Sequence, residues 1–394
     1  MNVGFAALQM NAALGLSARA FGRGAGIFFL GYVVFEIPSN TILARVGARL
    51  WIARIMITWG LVSSAMMFMS GVTSFYAMRF LLGAAEAGFF PGVIFYLTCW
   101  FPERERASTI ASFMTAVFAA GVVGGPISGA ILSLNGVWGL AGWQWLFLLE
   151  GLPAVALGVV VFAALPERPD EASWLTPGER AALAASLAAE SSARTTEPRT
   201  VAAALSSGRV WLLAAIYFTL PVALYAMSFW LPQILKAASR GSDFEIGLLS
   251  AIPSAVGVIG MVITGRHSDR TGERRWHVAI AGLVGGAAFA ASAFVHALVP
   301  SLVLLSIAML GLASMFGPFW TLASTSVAGR GAAAGIALIN SVGNIGGYVG
   351  PDLLGYVRDT TQSFSAGLVA VGVILALGGL LVLAVRGVRL QADR

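Results

Sequence analysis

The feature that most constrains this chain is a series of apolar runs, each near the ~20 residues that an α-helix needs to cross the hydrocarbon core of a bilayer. The runs lack the weak alternating pattern of about ten residues that marks outer-membrane strands. Hydrophobic residues make up 58% of the chain and charged residues 11%, which is typical of a membrane protein and not of a soluble domain. We therefore predict helical spans near residues 21–43, 50–71, 74–99, 108–134, 144–165, 210–235, 246–265, 277–297, 300–326, 332–356 and 364–385.

The arginines are concentrated in the loops on one side of these spans. A short apolar segment from Asn2 to about Leu14 counts as a partial first span. If it ends outside the cell, the loops after spans two, four, six, eight and ten are cytoplasmic and hold most of the arginines. Cytoplasmic loops are enriched in Lys and Arg, so we expect an inner-membrane protein with both termini in the cytoplasm. These loops also account for the net charge of +6, and we predict no nucleic-acid partner.

Two motifs recur at one spacing. GRHSDRTGERR (265–275) has a degenerate copy in NTILARVGAR (40–49), and GVVGGP (121–126) matches GGYVGP (346–351). Both pairs are separated by 225 residues. Two unrelated motifs at one offset indicate a duplicated six-helix unit, as in transporters with repeated halves.

The duplication divides the chain into three parts. We predict a first helix bundle at residues 1–165, a cytoplasmic linker at 166–209 and a second bundle at 210–394. Within the polar linker, Thr176 and Glu179 have the spacing of a capping box that opens a short helix.

The chain resembles the major facilitator superfamily over almost its whole length, and GRHSDRTGERR matches the best-known signature of that family. It is most similar to the anion:cation symporter branch, particularly the tartrate, phthalate and hydroxyphenylacetate permeases. The resemblance implies an all-α membrane protein with the major facilitator fold, two pseudo-symmetric six-helix bundles. It rests on FEIPSN (35–40), MRFLLGAAEAGFFPG (78–92), WFPERERA (100–107), GWQWLFLLEGLPA (142–154), FWLPQI (229–234) and AGIALINSVGNIGGYVGP (334–351).

The offset of 225 also makes a prediction about the first helix. Subtracting it from the seventh span, 210–235, places the counterpart at −15 to 10, so we expect the first helix to be truncated and Met1 to be a misplaced start. Family members carry an Asp-Arg pair directly before the segment that matches residues 2–10. On this expectation the chain lacks a second arginine for the anion and a second proton-carrying acid.

Arg79 and Glu86 lie inside one apolar span, where charged residues are costly and usually face a cavity. They are seven residues apart, so they share a helical face but lie about 10 Å apart along the axis and do not pair directly. A guanidinium suits a bidentate carboxylate, and a buried glutamate can carry a proton. The resemblance implies the same roles, substrate binding for Arg79 and proton coupling for Glu86.

Other polar residues in the spans form a second set of candidates. Amide, indole and hydroxyl groups that line the cavity between the halves can bind the hydroxyls or carboxylates of a substrate, although helix-to-helix hydrogen bonds would use the same groups. These candidate substrate residues are Tyr32, Tyr225, Trp320, Asn340 and Asn344. For the remaining intramembrane acids, Glu36, Glu150 and Asp352, we favour structural roles.

Asp269 and Arg270 end the eighth span, where a carboxylate can meet a helix N-terminus in one conformation only. We predict that they form a conformational latch together with Arg274 and Arg45. The first-half copy has Ala44 in the aspartate position, so the latch is expected to be asymmetric.

Taken together, these patterns predict a monomeric secondary transporter that imports an organic anion, such as tartrate, a phthalate-like acid or a sugar acid, with protons. A proton-driven exporter of the same fold and a ligand-binding membrane sensor are the alternatives. Motifs for a metalloprotease, a serine hydrolase or a nucleotide-binding loop are missing from the sequence, so we expect neither an enzyme nor a cofactor. Cys99 is the only cysteine and the three histidines are scattered, so we expect no metal site.

Overall fold

The computed structural model describes residues 2–193, 205–239, 241–327 and 332–385. Within these ranges the chain forms α-helices joined by turns and short 3₁₀ segments. In chain order they are α1 (Asn2–Ala13), α2 (Ala18–Val46), α3 (Ala48–Ala65), α4 (Val72–Glu86), α5 (Phe89–Trp100), α6 (Glu103–Leu132), α7 (Gly142–Ala164), α8 (Pro177–Ala193), α9 (Gly208–Ala238), α10 (Asp243–Thr271), α11 (Arg275–Ser292), α12 (Leu298–Ser326), α13 (Ala332–Thr361) and α14 (Ser365–Leu381).

The predicted spans all occur as helices. Among the described residues, eight helical spans are long and apolar enough to cross a membrane, with α4 and α5 counted as one. Among the remaining helices, Ala119–Leu132 of α6 is a shorter apolar segment, and α11 and α13 do not reach the same hydropathy over the residues described. Two of them, α6 and α13, pack across the two halves of the molecule, against α10 and α2 respectively. A helix in that position is partly shielded from lipid and tolerates more glycine and polar residues.

The helices repeat at the offset of 225 residues. Adding it to the bounds of α2 gives 243–271, which are the bounds of α10. Adding it to the span from α4 to α5 gives 297–325, and α12 covers 298–326. The second half therefore repeats the first, except that α12 is continuous where α4 and α5 are separate helices.

The two halves touch closely at the end of the bundle that lies away from the linker. There α2 and α13 run antiparallel, and a side chain at Gly26 would meet Tyr348 while one at Gly347 would meet the ring of Phe29. Across the second contact, a Cβ at Gly125 would lie 2.6 Å from the Gly247 carbonyl oxygen. The glycines of the two repeated G-x-x-x-G-P motifs thus allow close helix packing.

Polar pairs join the halves at the same closed end. Gln9 on α1 donates from Nε2 to Asp243 Oδ2 on α10 (2.8 Å), and Asp243 also pairs with Lys236 (2.8 Å). On the other side of the bundle Arg23 pairs with Asp352 (3.4 Å). These contacts tie α1 and α2 of the first half to α10 and α13 of the second.

Toward the linker the inter-half face of α13 carries two asparagines. Asn340 and Asn344 precede Gly347 and Pro351 by seven residues each, so they continue the face that packs on α2. Both are partly exposed, and neither has a hydrogen-bond partner among the described residues. From this difference in packing between the two ends we infer a cleft between the halves that opens toward the linker.

The linker begins with a helix cap for the first bundle. Glu167 accepts hydrogen bonds from the backbone N–H groups of Ala48 (2.6 Å) and Arg49 (2.9 Å) at the start of α3. Further along, Thr176 and Glu179 form the capping box that the sequence predicts, and α8 follows it. The predicted linker residues 194–204 lie outside the described residues.

Candidate functional site

Arg79 is held inside the first bundle. It is 4% exposed and donates from Nη2 to the carbonyl oxygen of Ala25 (2.9 Å) and from Nε to that of Gly24 (3.4 Å). The rings of Phe28 and Phe229 lie 4.9 Å and 5.7 Å from the guanidinium carbon. Close packing of α4 on α2 at Gly83 and Phe28 brings the arginine to this position, so its side chain does not extend to the surface.

Glu86 is the last residue of α4, and the helix breaks directly after it. The predicted span over 74–99 occurs as one membrane span, Val72–Trp100, but two helices, α4 and α5, form it. Gly88 adopts a left-handed backbone (φ 86°), which ends α4 and lets α5 begin at Phe89. The freed carbonyl of Ala87 accepts a hydrogen bond from Ser39 Oγ (2.6 Å), whose oxygen accepts one from Trp51 Nε1 (2.9 Å).

Arg79 and Glu86 are not joined by a salt bridge, as their spacing predicts, although each acts on the other electrostatically. Among the described residues the Glu86 carboxyl has neither a hydrogen bond nor an ion pair, and its side chain is partly exposed. An acid of this kind inside a membrane-spanning bundle is a candidate functional residue.

Tyr32 and Tyr225 lie with this pair. The groups that act electrostatically on the Tyr32 hydroxyl include Glu36, Glu86 and Tyr225. Tyr225 packs on Phe29 with ring centroids 4.3 Å apart and also interacts with Glu86. The structure thus brings together four of the candidate residues, from α2, α4 and α9.

The second half contributes the candidates Trp320, Asn340 and Asn344. Near them lies Tyr217, a residue that the sequence analysis did not single out. The Tyr217 and Trp320 rings are 4.7 Å apart, and the indole is within hydrogen-bonding reach of the Tyr217 hydroxyl. Gly343, between the two asparagines, packs on the Tyr217 ring. Because Tyr217 also interacts with Tyr225, helix α9 connects the two groups of candidates.

The three remaining intramembrane acids differ from one another. Glu150 accepts a hydrogen bond from Ser128 Oγ (2.6 Å), and Asp352 pairs with Arg23 (3.4 Å), as expected of structural residues. Glu36 is 9% exposed and has no such partner in the described part of the chain. Its sequence context, FEIPSN, gave no sign of this difference.

The four candidate latch residues are not in contact as a group. Asp269 pairs with Arg274 (2.6 Å), and Arg274 also donates to Ser268 Oγ (2.8 Å). Arg270 and Arg45 are exposed and have no ion partner within the described ranges. In the first half, the helix N-terminus at α3 is capped by Glu167, a residue that the repeat gave no means of finding. The latch stays a prediction.

A separate pocket lies between α1, α6, α9, α10 and α12. Its lining is mainly apolar and includes Phe5, Met227, Ser250 and Met309. None of the candidate residues lines it, so Arg79 and Glu86 remain the candidate functional site.

Known proteins that are similar to this chain are membrane transporters. The model of the Major Facilitator Superfamily matches residues 1–351. A putative tartrate transporter of Agrobacterium vitis is 50% identical over 97% of this chain and 85% of its own length. A quinolone resistance transporter of Acinetobacter baumannii is 42% identical over 95% of this chain and 87% of its own length. The crystal structure of a bacterial homolog of the human lysosomal transporter Spinster has a TM-score of 0.78 at 17% identity, covering 98% of this chain and 92% of that one.

Two repeated helix bundles with interior charges beside the cleft define an integral membrane transporter and not an enzyme. The chain belongs to the Major Facilitator Superfamily. The fold and family that the sequence resemblance implied are thereby confirmed.

Proposed function

We propose that this transporter imports an organic anion, a carboxylate of the tartrate type, together with protons by alternating access. The observation that carries the proposal is the pair on α4, a buried guanidinium and a carboxyl two helical turns apart that do not bond each other. The identity to the tartrate-transporter relative supports a dicarboxylate substrate.

Arg79 supplies the positive charge for the anion. A guanidinium has more N–H donors than its two bonds to Gly24 and Ala25 use, and the remaining donors can take a carboxylate in the planar, bidentate manner that arginine favours. Tyr32, Tyr225, Trp320, Asn340 and Asn344 bind the rest of the substrate. All of these groups come from one chain, so we propose that a monomer is sufficient.

Glu86 couples substrate movement to protons. An ionised carboxyl without a partner is costly to enclose, so closure of the cleft around Glu86 favours its protonated form. The helix break after Glu86 allows α5 to move relative to α4, which suits a residue that must face the two sides of the membrane in turn.

The orientation follows from the charge distribution. With the arginine-rich loops and the linker in the cytoplasm of a bacterial inner membrane, both termini are cytoplasmic and the closed end faces outward. The cleft then opens inward, toward the side where an importer releases its substrate.

Uptake in right-side-out membrane vesicles tests the proposal. We expect an external acid pulse to drive accumulation of labelled tartrate, and addition of tartrate to acidify the lumen. If tartrate, phthalate and sugar acids each fail to acidify the lumen and fail to accumulate, the proposed function is wrong.

An exporter is the second candidate, because the quinolone resistance relative shares 42% identity over nearly the whole chain. For an exporter, a quinolone loaded into the vesicles would leave faster when the outside is acidified, and labelled tartrate would not accumulate. The direction of proton-driven movement therefore separates the two functions.

A further inference from the structure

Glu36 stands out among the acids in the membrane-spanning helices. It is 9% exposed near the middle of α2 and, unlike Glu150 and Asp352, it has no hydrogen bond or ion pair within the described ranges. Burying an ionised carboxyl without a partner is unfavourable, so a group of this kind takes up a proton when water leaves it. Packing alone does not explain why a glutamate occupies this position.

The surroundings of Glu36 contain few charges that could hold it ionised. The titratable groups on the helices packed against α2 are Tyr76, Arg79 and Glu86 on α4, Arg49 and Arg54 on α3, Tyr96 and Cys99 on α5, and Tyr348, Asp352, Tyr356, Arg358 and Asp359 on α13. The groups on α3 and α5 have contacts of their own. Arg54 stacks on Trp51 at 3.8 Å, and Tyr96 donates to the Pro166 carbonyl at 3.0 Å. Residues 335–351 of α13 and the described residues of α1 carry no charged side chain.

Glu36 lies on the face of α2 that meets the second half. At the closed end Phe29 packs on Gly347, and the two helices run antiparallel. Glu36 follows Phe29 by seven residues and Asn340 precedes Gly347 by seven, so both lie about 10 Å farther along, on the surfaces of α2 and α13 that face each other. Closing the cleft toward the linker brings the carboxyl and the amide together.

Glu36 is also connected to the other candidate proton carrier. The α2–α4 contacts of Gly31 with Ala84 and of Ser39 with Ala87 place Glu36 and Glu86 at one depth. Tyr32 precedes Glu36 by four residues, about one turn of α2, and its backbone packs against α4 at Gly83, one turn before Glu86. Both carboxyls are close enough to act electrostatically on the Tyr32 hydroxyl. A tyrosine hydroxyl can donate one proton while it accepts another.

We propose that Glu36 is a second proton-binding carboxyl of the transport cycle, linked to Glu86 through Tyr32 and closing on Asn340 in its protonated form. This inference rests on the proton coupling of the proposed function. In the transfer step, closure of the cleft brings both carboxyls into hydrogen-bonding reach of Tyr32; the Glu86 carboxylic acid then gives its proton to the Tyr32 oxygen while the Tyr32 hydroxyl proton passes to the Glu36 carboxylate. Tyr32 is unchanged and one proton has moved. The protonated Glu36 can then form two hydrogen bonds with the Asn340 amide. Its O–H donates to the amide oxygen, and its carbonyl oxygen accepts from the amide N–H.

Steady-state accumulation of labelled tartrate in proteoliposomes measures the number of coupled protons. With the membrane potential clamped to zero and a gradient of one pH unit, each coupled proton is worth about a tenfold accumulation. We expect Glu36→Gln to lower accumulation about tenfold and to keep tartrate counterflow, which needs no net proton movement. The matched control is Glu150→Gln, a buried glutamate bonded to Ser128, which is expected to accumulate tartrate as the wild type does.

The outcomes separate this inference from the proposed function. No pH-driven accumulation by the wild type would overturn both. Wild-type coupling together with unchanged accumulation by Glu36→Gln would overturn the role of Glu36 and leave the proposed function standing. A loss of counterflow equal to the loss of accumulation would also overturn it, because that result indicates damage to the substrate site or the fold.

A second variant keeps the test valid if Glu36→Gln is not recovered as a monodisperse protein. Glu36→Asp retains a carboxyl, so we expect it to keep the wild-type number of coupled protons. In infrared difference spectra between acid and alkaline samples, the C=O band of the protonated carboxyl should shift in Glu36→Asp. Spectra identical to those of the wild type would show that Glu36 does not exchange a proton.

Discussion

Replacing Arg79 with lysine tests whether the interior guanidinium binds the anion or only joins two helices. Arg79 donates to the carbonyl oxygens of Ala25 and Gly24 and lies over the rings of Phe28 and Phe229. Lysine keeps the charge and can still donate to one carbonyl, but it loses the planar fork of donors. Arg79→Lys therefore removes geometry while leaving a cation in place.

The structure gives different magnitudes for stability and transport. The contact to Gly24 is long at 3.4 Å, so its loss together with a weaker cation–π interaction should cost about 1 kcal/mol of stability. A bidentate contact to a carboxylate involves a charged hydrogen bond worth roughly 1.5–3 kcal/mol, and losing it lowers transport efficiency by about 10- to 150-fold. Transport should thus suffer much more than folding.

The assay compares initial uptake of labelled tartrate with the melting temperature of the detergent-purified protein. Arg54→Lys is the matched control, because Arg54 also lies in a predicted span and stacks on Trp51 at 3.8 Å but lies outside the candidate site. We expect normal uptake for this control. Wild-type uptake by Arg79→Lys would refute the substrate-site argument, and a melting temperature lowered in proportion to uptake would show that the arginine is structural.

Three further substitutions test other parts of the molecule. Glu86→Gln should abolish acidification of the lumen while tartrate binding persists, because the amide resembles the protonated acid; continued acidification would exclude Glu86 as the sole proton carrier. Gly88→Ala should lower uptake and cost on the order of 1 kcal/mol of stability, because a methyl group there would collide with the Ser39 hydroxyl and alanine disfavours the left-handed backbone; an unchanged melting curve would contradict the account of the break. Glu167→Ala should cost about 1 kcal/mol of thermal stability by removing the cap of α3 and should leave substrate affinity unchanged; equal melting temperatures for this variant and the wild type would show that water replaces the cap.

The positions of the helices and their duplication could be predicted from the sequence. Hydropathy is a local property, and a run of apolar residues must form a helix in lipid because its backbone groups have no other partners there. The offset of 225 residues located both halves because the two halves contain the same order of helices. Arg79 and Glu86 were recognisable because their charges interrupt an apolar span.

The tertiary structure decided which polar groups have partners, and these partners are distant in sequence. Arg79 bonds α2 carbonyls 54 and 55 residues away, and Glu167 caps a helix that begins 119 residues earlier. The break after Glu86 also depends on a neighbouring helix, because Ser39 satisfies the carbonyl that the broken turn releases. Glu36 and Glu150 look alike in sequence, each a single acid in an apolar helix, yet Glu150 has a hydroxyl partner and Glu36 is buried with no such partner among the described residues. Whether such a glutamate has a partner depends on which helix packs against it. The sequence of one apolar run does not contain that information.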